Sequence, residues 1–122
     1  MKRKTLIDRL DTLVRNIVRA RDKNQCQWCG RRVSGRDSQV SHIIRRRLYF
    51  ARWDLNNVKL LCGHCHTQWH DNQIEGAKWF EEKFPDRHEY IMELKKTKVG
   101  TWKDAELLEI EASLKKIWKE MQ

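Results

Sequence analysis

Hydrophobic residues recur at helical spacing at both ends of the chain. From Thr5 to about Arg21, apolar residues three and four positions apart predict an amphipathic helix. Beyond Asp71, similar stripes predict supporting helices, the last of which opens near Thr101. The stripe of this last helix suits either packing against the first helix, which is the commoner arrangement, or pairing of two chains. The ends of the chain are therefore predicted to be helical.

The middle of the chain has a different pattern. Alternation at Val40, His42 and Ile44 predicts a short strand, and Val58-Lys59-Leu60-Leu61 predicts a second one. A basic loop lies between them, and a helix is expected to follow the second strand through 66–70. The order of strand, basic loop, strand and helix predicts an α+β fold that is mainly helical.

Length and composition favour one domain. The chain has 122 residues, one proline and no linker-like stretch, so we expect a single domain over 1–122. It divides into an N-terminal helix (1–21), a central segment (22–72) and supporting helices (73–122). The basic N-terminus lacks the apolar core of a signal peptide, and no apolar run is long enough to span a bilayer. These features predict a cytoplasmic protein.

Positive charge is concentrated in the first part of the chain. The net charge is +9, yet residues 1–70 carry 16 Lys and Arg against 5 Asp and Glu, whereas 71–122 carry 10 against 12. A basic surface beside candidate metal ligands suits a polyanion, because Lys and Arg that meet phosphates release condensed counterions. We interpret the imbalance as indicating nucleic acid, against the alternative of a basic surface that only aids solubility.

One short segment interleaves guanidinium groups with aromatic rings. Such a mixture can clamp phosphates and stack on bases or sugars. The predicted phosphate contacts in this segment are Arg45, Arg46, Arg47 and Arg52.

The four cysteines form two pairs with identical spacing. Cys26 and Cys29 are separated by two residues, as are Cys62 and Cys65. This spacing lets two thiolates grip one tetrahedral ion around a tight turn, and two such pairs make a complete four-cysteine zinc site. Because a closed shell of four thiolates leaves no position for water, the zinc is predicted to be structural, and His64 inside the second pair is predicted to be exposed.

Two histidines follow the second cysteine pair. His66 and His70 are four residues apart, so on a helix both rings project from one face toward one point. The pair can therefore hold a second ion, separate from the zinc.

The sequence resembles the HNH endonuclease family. The resemblance rests on Ser41-His42-Ile43, on Asn57, and on Leu61 leading into Cys62-Gly63-His64-Cys65-His66, and it covers roughly residues 26–70. A finer and weaker likeness is to small HNH proteins of phages, including the recombination-associated NinG-like group. The resemblance implies a ββα-metal (His-Me finger) core that contains the zinc site.

The same resemblance implies a function. The family hydrolyses DNA phosphodiester bonds with one divalent ion, most often Mg²⁺ or Mn²⁺. His42 would be the general base, Asn57 would fix the hairpin loop and the ring of His42, and His66 would bind the catalytic ion. We therefore expect an endonuclease of low sequence specificity, acting as a monomer or homodimer, with phage packaging or recombination proteins as candidate partners.

Ser41 departs from the family pattern. Many members carry an acidic residue or a histidine immediately before the base, and that residue binds the ion. We therefore expect His70 to join His66 as a ligand, with Asp54 or water completing the shell. The departure also favours an alternative, a zinc-containing DNA-binding module without catalysis. A nuclease selective for branched recombination intermediates is a separate variant of the endonuclease hypothesis.

Overall fold

The computed structural model describes residues 2–97 and 100–122. Within these ranges the chain forms five α-helices, two β-strands and three short 3₁₀ turns. In chain order the helices and strands are α1 (Arg3–Arg21), β1 (Gln39–His42), β2 (Val58–Leu61), α2 (Gly63–Asp71), α3 (Gln73–Lys83), α4 (Pro85–Lys96) and α5 (Asp104–Glu120).

The first and last helices pack against each other. Their apolar stripes enter one core, in which Leu10 of α1 and Leu107 of α5 are completely buried. Glu111 of α5 is 5% exposed, and its two oxygens accept hydrogen bonds of 2.6 and 2.5 Å from Arg9 of α1. The expectation that the last helix packs on the first is confirmed. Whether two chains also pair through α5 stays a prediction.

Two predicted helix starts were wrong. Helix α1 begins at Arg3, two residues before Thr5, and α5 begins at Asp104, three residues after Thr101. At the start of α5, the Glu106 carboxylate accepts a hydrogen bond of 2.9 Å from the backbone N–H of Lys103. Thr101 therefore lies before the first residue of this helix.

Strands β1 and β2 form an antiparallel hairpin, and α2 follows β2 directly. Ser41 pairs with Lys59, and His42 pairs with Val58. All four residues of β2 are buried, because α1 and α2 both pack against this strand. The structure confirms an α+β, mainly helical fold with a ββα core.

Helices α3 and α4 extend the molecule beyond α2. Gly76 allows α3 to approach α2 closely, since a Cβ at this position would lie 2.7 Å from a ring carbon of Trp69. Pro85 opens α4, where its missing N–H costs no helical hydrogen bond. None of the described helices combines the length and apolar character needed to cross a lipid bilayer.

Candidate metal centres and catalytic groove

The four cysteines converge on one point. Their sulfur atoms all lie within 4.8 Å of one another, and the Sγ atoms of Cys29 and Cys62 are 3.9 Å apart. Zinc–sulfur bonds of about 2.3 Å in a tetrahedron place sulfur atoms about 3.8 Å apart. Cys26, Cys62 and Cys65 are buried while Cys29 is exposed, and all four are free thiols. The cluster is therefore positioned for one zinc ion.

Local backbone geometry brings the first cysteine pair to the second. Gly30 has a φ of +81°, a conformation that favours glycine, and its N–H donates to the carbonyl of Cys26 at 2.8 Å. The N–H of Gln27 donates to the carbonyl of Leu60 at 2.9 Å, which ties this turn to β2. The second pair opens α2, where the Cys65 N–H lies 3.4 Å from the Cys62 sulfur. The zinc site thus anchors the start of α2.

His42 lies at the end of β1, with one ring nitrogen fixed by the backbone. Its Nε2 is 3.0 Å from the carbonyl oxygen of Arg52. A carbonyl only accepts hydrogen bonds, so Nε2 carries the proton and donates it, and Nδ1 keeps its lone pair. Burial lowers the pKa of His42 to about 4, with smaller lowering effects from Arg46 and Arg52. His42 is therefore a neutral imidazole at physiological pH.

The carbonyl of Arg52 is held by contacts from α1. The Arg52 side chain donates two hydrogen bonds to Asp11, at 3.0 and 2.6 Å, and the indole N–H of Trp53 donates to Asp11 at 2.8 Å. The guanidinium also lies over the ring of Tyr49, 5.1 Å from its centroid. The hydrogen bonds from Arg52 and Trp53 lower the pKa of Asp11 against the opposing effect of burial, which keeps this carboxylate charged. Asp11 consequently fixes the residue whose carbonyl orients His42.

Asn57 closes the loop between the two strands. Its side chain is completely buried, accepts a hydrogen bond of 2.7 Å from the N–H of Ile44, and donates to the carbonyls of Ile44 and Ala51 at 3.0 Å each. These bonds fasten the loop near both of its ends. All three go to backbone groups and none to the ring of His42, so Asn57 acts on that ring through the loop backbone.

His66 and His70 bring two ring nitrogens together on α2. Their Nε2 atoms are 3.2 Å apart, and the Nδ1 of His66 lies 2.5 Å from the side-chain oxygen of Gln39. The amide oxygen accepts the proton of Nδ1, which leaves the Nε2 lone pair of His66 free to bind an ion. Two nitrogens 3.2 Å apart, each about 2.1 Å from an ion, subtend about 100° at it, which suits neighbouring ligands of a tetrahedral or octahedral site.

His42, His66 and His70 line one open groove of about 940 Å³. Arg45 and Arg46 line it as well. The remainder of the wall is mainly apolar and comes largely from α3 and α4, with residues that include Ile74, Ala77, Phe80, His88, Ile91 and Met92. The structure thus places the predicted base and the predicted ion ligands around one shared space.

Ser41 does not line this groove. It is 1% exposed, and its hydroxyl accepts a hydrogen bond of 3.1 Å from Nζ of Lys59, which is itself fully buried. The Nζ atom lies 3.4 Å from the ring centroid of Trp69, and burial lowers the pKa of Lys59 well below its ordinary value. Ser41 therefore supports a buried lysine side chain.

Asp54 and Arg52, two other residues predicted to belong to the site, do not line the groove. Asp54 accepts hydrogen bonds from the N–H of Asn56 at 3.0 Å and from the hydroxyl of Tyr90 at 2.5 Å, and it does not line the groove. Arg52 is 8% exposed and bound to Asp11, so its guanidinium is not presented to a ligand. Among residues 2–97 and 100–122, the four cysteines form the one group of three or more ligands close enough to hold a metal ion.

Several residues of the site had no signal in the sequence. Asp11 and Gln39 act on His42 and His66 from 31 and 27 positions away along the chain, and Lys59 lies within an otherwise apolar strand. His88 of α4 also lines the groove. His64 is exposed, as the sequence predicted.

Acid should destabilise the protein through His42. The native pKa of His42 is about 4, below the value of about 6.5 for an unfolded histidine, so the unfolded chain binds a proton that the native ring does not. This contribution to stability is complete above about pH 6.5 and is lost as the pH falls toward 4. We expect the free energy of unfolding to decrease by about 2 kcal/mol between about pH 7.5 and about pH 5 for this reason.

Denaturant unfolding of the wild type and of His42→Gln at both pH values measures this effect. Loss of zinc in acid lowers the free energy of unfolding of both proteins alike. The difference between their pH dependences therefore measures the contribution of His42. Equal losses of stability in the two proteins would show that burial of His42 does not perturb its titration.

Comparison with known proteins agrees with the geometry of this segment. Residues 26–72 match a family model described as HNH endonuclease. No curated protein and no solved structure matches the chain. The matched segment contains both cysteine pairs, the hairpin and α2.

Proposed function

We propose that this chain, whose residues 26–72 match the HNH endonuclease family, is a metal-dependent DNA endonuclease of low sequence specificity. One observation carries the proposal. The groove holds a neutral histidine with a free Nδ1 lone pair, together with two histidines whose Nε2 atoms are 3.2 Å apart. This arrangement supplies a base and an ion site around one phosphate.

His42 is the general base in this proposal. Its Nδ1 accepts a proton from the attacking water, while the Nε2–H bond to the Arg52 carbonyl holds the ring and stabilises the positive charge that the ring acquires. A pKa of about 4 in the free protein keeps the ring unprotonated and ready to accept. Negative charge from a bound phosphate in the groove favours the protonated ring during the reaction.

His66 and His70 would hold the catalytic divalent ion, Mg²⁺ or Mn²⁺. The bound ion supplies a Lewis acid that stabilises charge on the phosphate oxygens and on the leaving oxygen. Two histidines leave the remaining coordination positions for water and phosphate oxygens, and an open site of this kind is typical of catalytic metals. The four cysteines would hold a separate, structural zinc ion.

Removing the amide of Gln39 should weaken binding of the catalytic ion. Gln39 accepts the Nδ1 proton of His66, and loss of such an outer contact to a ligating histidine typically lowers metal affinity by about 10- to 100-fold. We expect Gln39→Ala to raise the Mn²⁺ concentration that gives half-maximal binding by about 10-fold. Electron paramagnetic resonance measures free Mn²⁺ directly.

His64→Ala is the matched control for this measurement, because His64 is an exposed histidine on the same helix. Zinc content should stay unchanged in both variants. A Mn²⁺ binding curve for Gln39→Ala that overlays the wild type would remove Gln39 from the ion site.

The basic loop would place DNA over the groove. Arg45, Arg46 and Arg47 are exposed, and the first two line the groove wall. Arg52 supports the loop instead, through its pairing with Asp11. We therefore assign phosphate contact to the first three arginines and a positioning role to Arg52.

A non-catalytic zinc module that binds DNA is the second candidate. It is favoured by the orientation of Ser41 toward Lys59, which leaves the groove without the protein ligand that often precedes the base. A plasmid assay separates the two candidates. The endonuclease nicks supercoiled DNA with Mg²⁺ or Mn²⁺ and stops when EDTA is added, whereas the module binds the plasmid without nicking it in any ion.

A further inference from the structure

The arginines fall into two groups according to their partners. The chain contains 13 arginines. Nine of them donate side-chain hydrogen bonds to other residues, such as the pairs Arg3–Asp104, Arg31–Asp37 and Arg52–Asp11. Within the described ranges, the side chains of the other four have neither a hydrogen bond nor an ion pair: Arg32, Arg36, Arg45 and Arg47.

All four of these arginines are exposed, and they flank β1. Arg36 precedes the strand by three residues, and Arg45 follows it by three. Arg32 forms an isolated bridge with Gln25 beside the first cysteine pair. Two of the unpartnered arginines, Arg32 and Arg36, therefore precede the strand that carries His42, and the other two, Arg45 and Arg47, follow it.

Arg36, which precedes β1, is linked to the proposed ion site through Gln39. The side-chain N–H of Gln39 donates to the carbonyl of Arg36 at 3.1 Å, while the oxygen of the same amide contacts His66. Asp37 accepts from Arg31 at 2.6 Å and from the N–H of Gly63 at 2.9 Å, which ties this turn to the start of α2. The backbone of Arg36 is therefore linked to His66 through the Gln39 side chain, and Arg36 lies before β1 whereas Arg45 follows it.

The four described arginine side chains without partners are available to bind an anion. The partnered arginines are held by carboxylates, carbonyls or hydroxyl groups, whereas unpartnered guanidinium groups in one region repel each other and gain most from an added polyanion. A four-residue strand is about 10 Å long, and the phosphates of one DNA strand are spaced about 3.4 Å apart along the helix axis. Strand β1 thus spans about three nucleotides.

We propose that Arg32 and Arg36 form a second phosphate-binding cluster, which holds duplex DNA on the far side of the scissile phosphate from Arg45 and Arg47. The inference rests on the proposed function, since it takes DNA as the substrate. In this arrangement the DNA backbone crosses β1, and arginines that precede and follow this strand bind its phosphates on both sides of His42. Arg31 stays with Asp37 and is not part of this cluster.

The salt dependence of binding tests the cluster. Each phosphate contact contributes about 0.9 to the slope of log affinity against log salt concentration for duplex DNA. Five contacts, from Arg32 and Arg36 together with the three loop arginines at 45–47, predict that affinity falls about 500-fold between about 50 and 200 mM salt, and the double variant R32A/R36A should lose only about 40-fold over that range. The measurement is fluorescence anisotropy of a short labelled duplex with the full zinc-loaded chain.

The control variant K116A/K119A removes the same charge from exposed positions on α5. It should keep a slope close to that of the wild type. A slope for R32A/R36A equal to that of K116A/K119A would overturn the cluster. The thermal midpoint of R32A/R36A should equal that of the wild type, because neither of these described side chains has a partner to lose.

Binding is measured without an added divalent ion, so its result does not depend on cleavage. A reduced slope in R32A/R36A supports the cluster even for a protein that never nicks DNA. Active nicking combined with an unchanged slope would retain the endonuclease and reject the cluster. The endonuclease and the second phosphate-binding cluster can therefore be rejected independently of each other.

Discussion

Replacing His42 with alanine is expected to reduce metal-dependent nicking of plasmid DNA by about 10²- to 10⁴-fold, the usual contribution of a positioned general base. His42 has a free ring nitrogen and a second one fixed by a backbone carbonyl, and no other described residue lining the groove has this geometry. The measurement is the single-turnover rate of conversion of supercoiled to nicked plasmid in Mg²⁺ or Mn²⁺.

His64→Ala is the control for this loss. It removes a histidine that is exposed and lies two residues from His66, so the nicking rate should stay within a few-fold of the wild type. Zinc content and circular dichroism should match in all three proteins. A His42→Ala protein that is folded and nicks at the wild-type rate would exclude His42 as the base.

Loss of the zinc ligand Cys62 is expected to unfold the central segment. Cys62 is 1% exposed and lies at the junction of β2 and α2. Structural zinc in small domains contributes about 10–16 kcal/mol, which is comparable to the total stability of about 5–15 kcal/mol that native proteins have. We expect Cys62→Ser to lose bound zinc and its cooperative thermal transition.

The zinc prediction is checked by metal analysis together with thermal denaturation followed by circular dichroism. Thr67→Ala is the control, because Thr67 is exposed on the same helix and its hydroxyl donates to the carbonyl of Gly63. A Cys62→Ser protein with the wild-type melting temperature would show that zinc does not hold this fold together.

The two predictions are coupled by the position of α2. Cys62 and Cys65 fix the first turn of this helix, and His66 is the next residue. Release of zinc should therefore also release His66 from Gln39 and weaken binding of the catalytic ion. In the proposed function, the zinc site and the site of the catalytic ion are therefore linked through one helical turn.

Sequence spacing predicted the parts of the site that depend on local geometry. Within each C-x-x-C pair, and between His66 and His70, a turn or one helical repeat brings the side chains together, as the spacing predicted. The alternation through His42 likewise predicted β1. Such patterns are recognisable because the residues concerned are close along the chain.

Contacts between distant segments were not predictable in this way. Asp11 binds Arg52 from 41 positions away, and this ion pair buries a guanidinium group that the sequence predicted to contact DNA. Gln39 meets His66 only because the hairpin packs on α2. The same packing buries Lys59 and turns Ser41 toward it, which no pattern of polar and apolar residues indicated.

The most direct test of the proposed function is a Mn²⁺ titration of plasmid nicking by the wild type, His42→Ala and His66→Ala, all loaded with zinc. We predict saturable, EDTA-sensitive nicking by the wild type and almost none by His42→Ala at any Mn²⁺ concentration. His66→Ala should need a much higher Mn²⁺ concentration to reach half of its maximal nicking rate. Binding of plasmid by the wild type without nicking in any ion, or a His66→Ala curve that overlays the wild type, would contradict it.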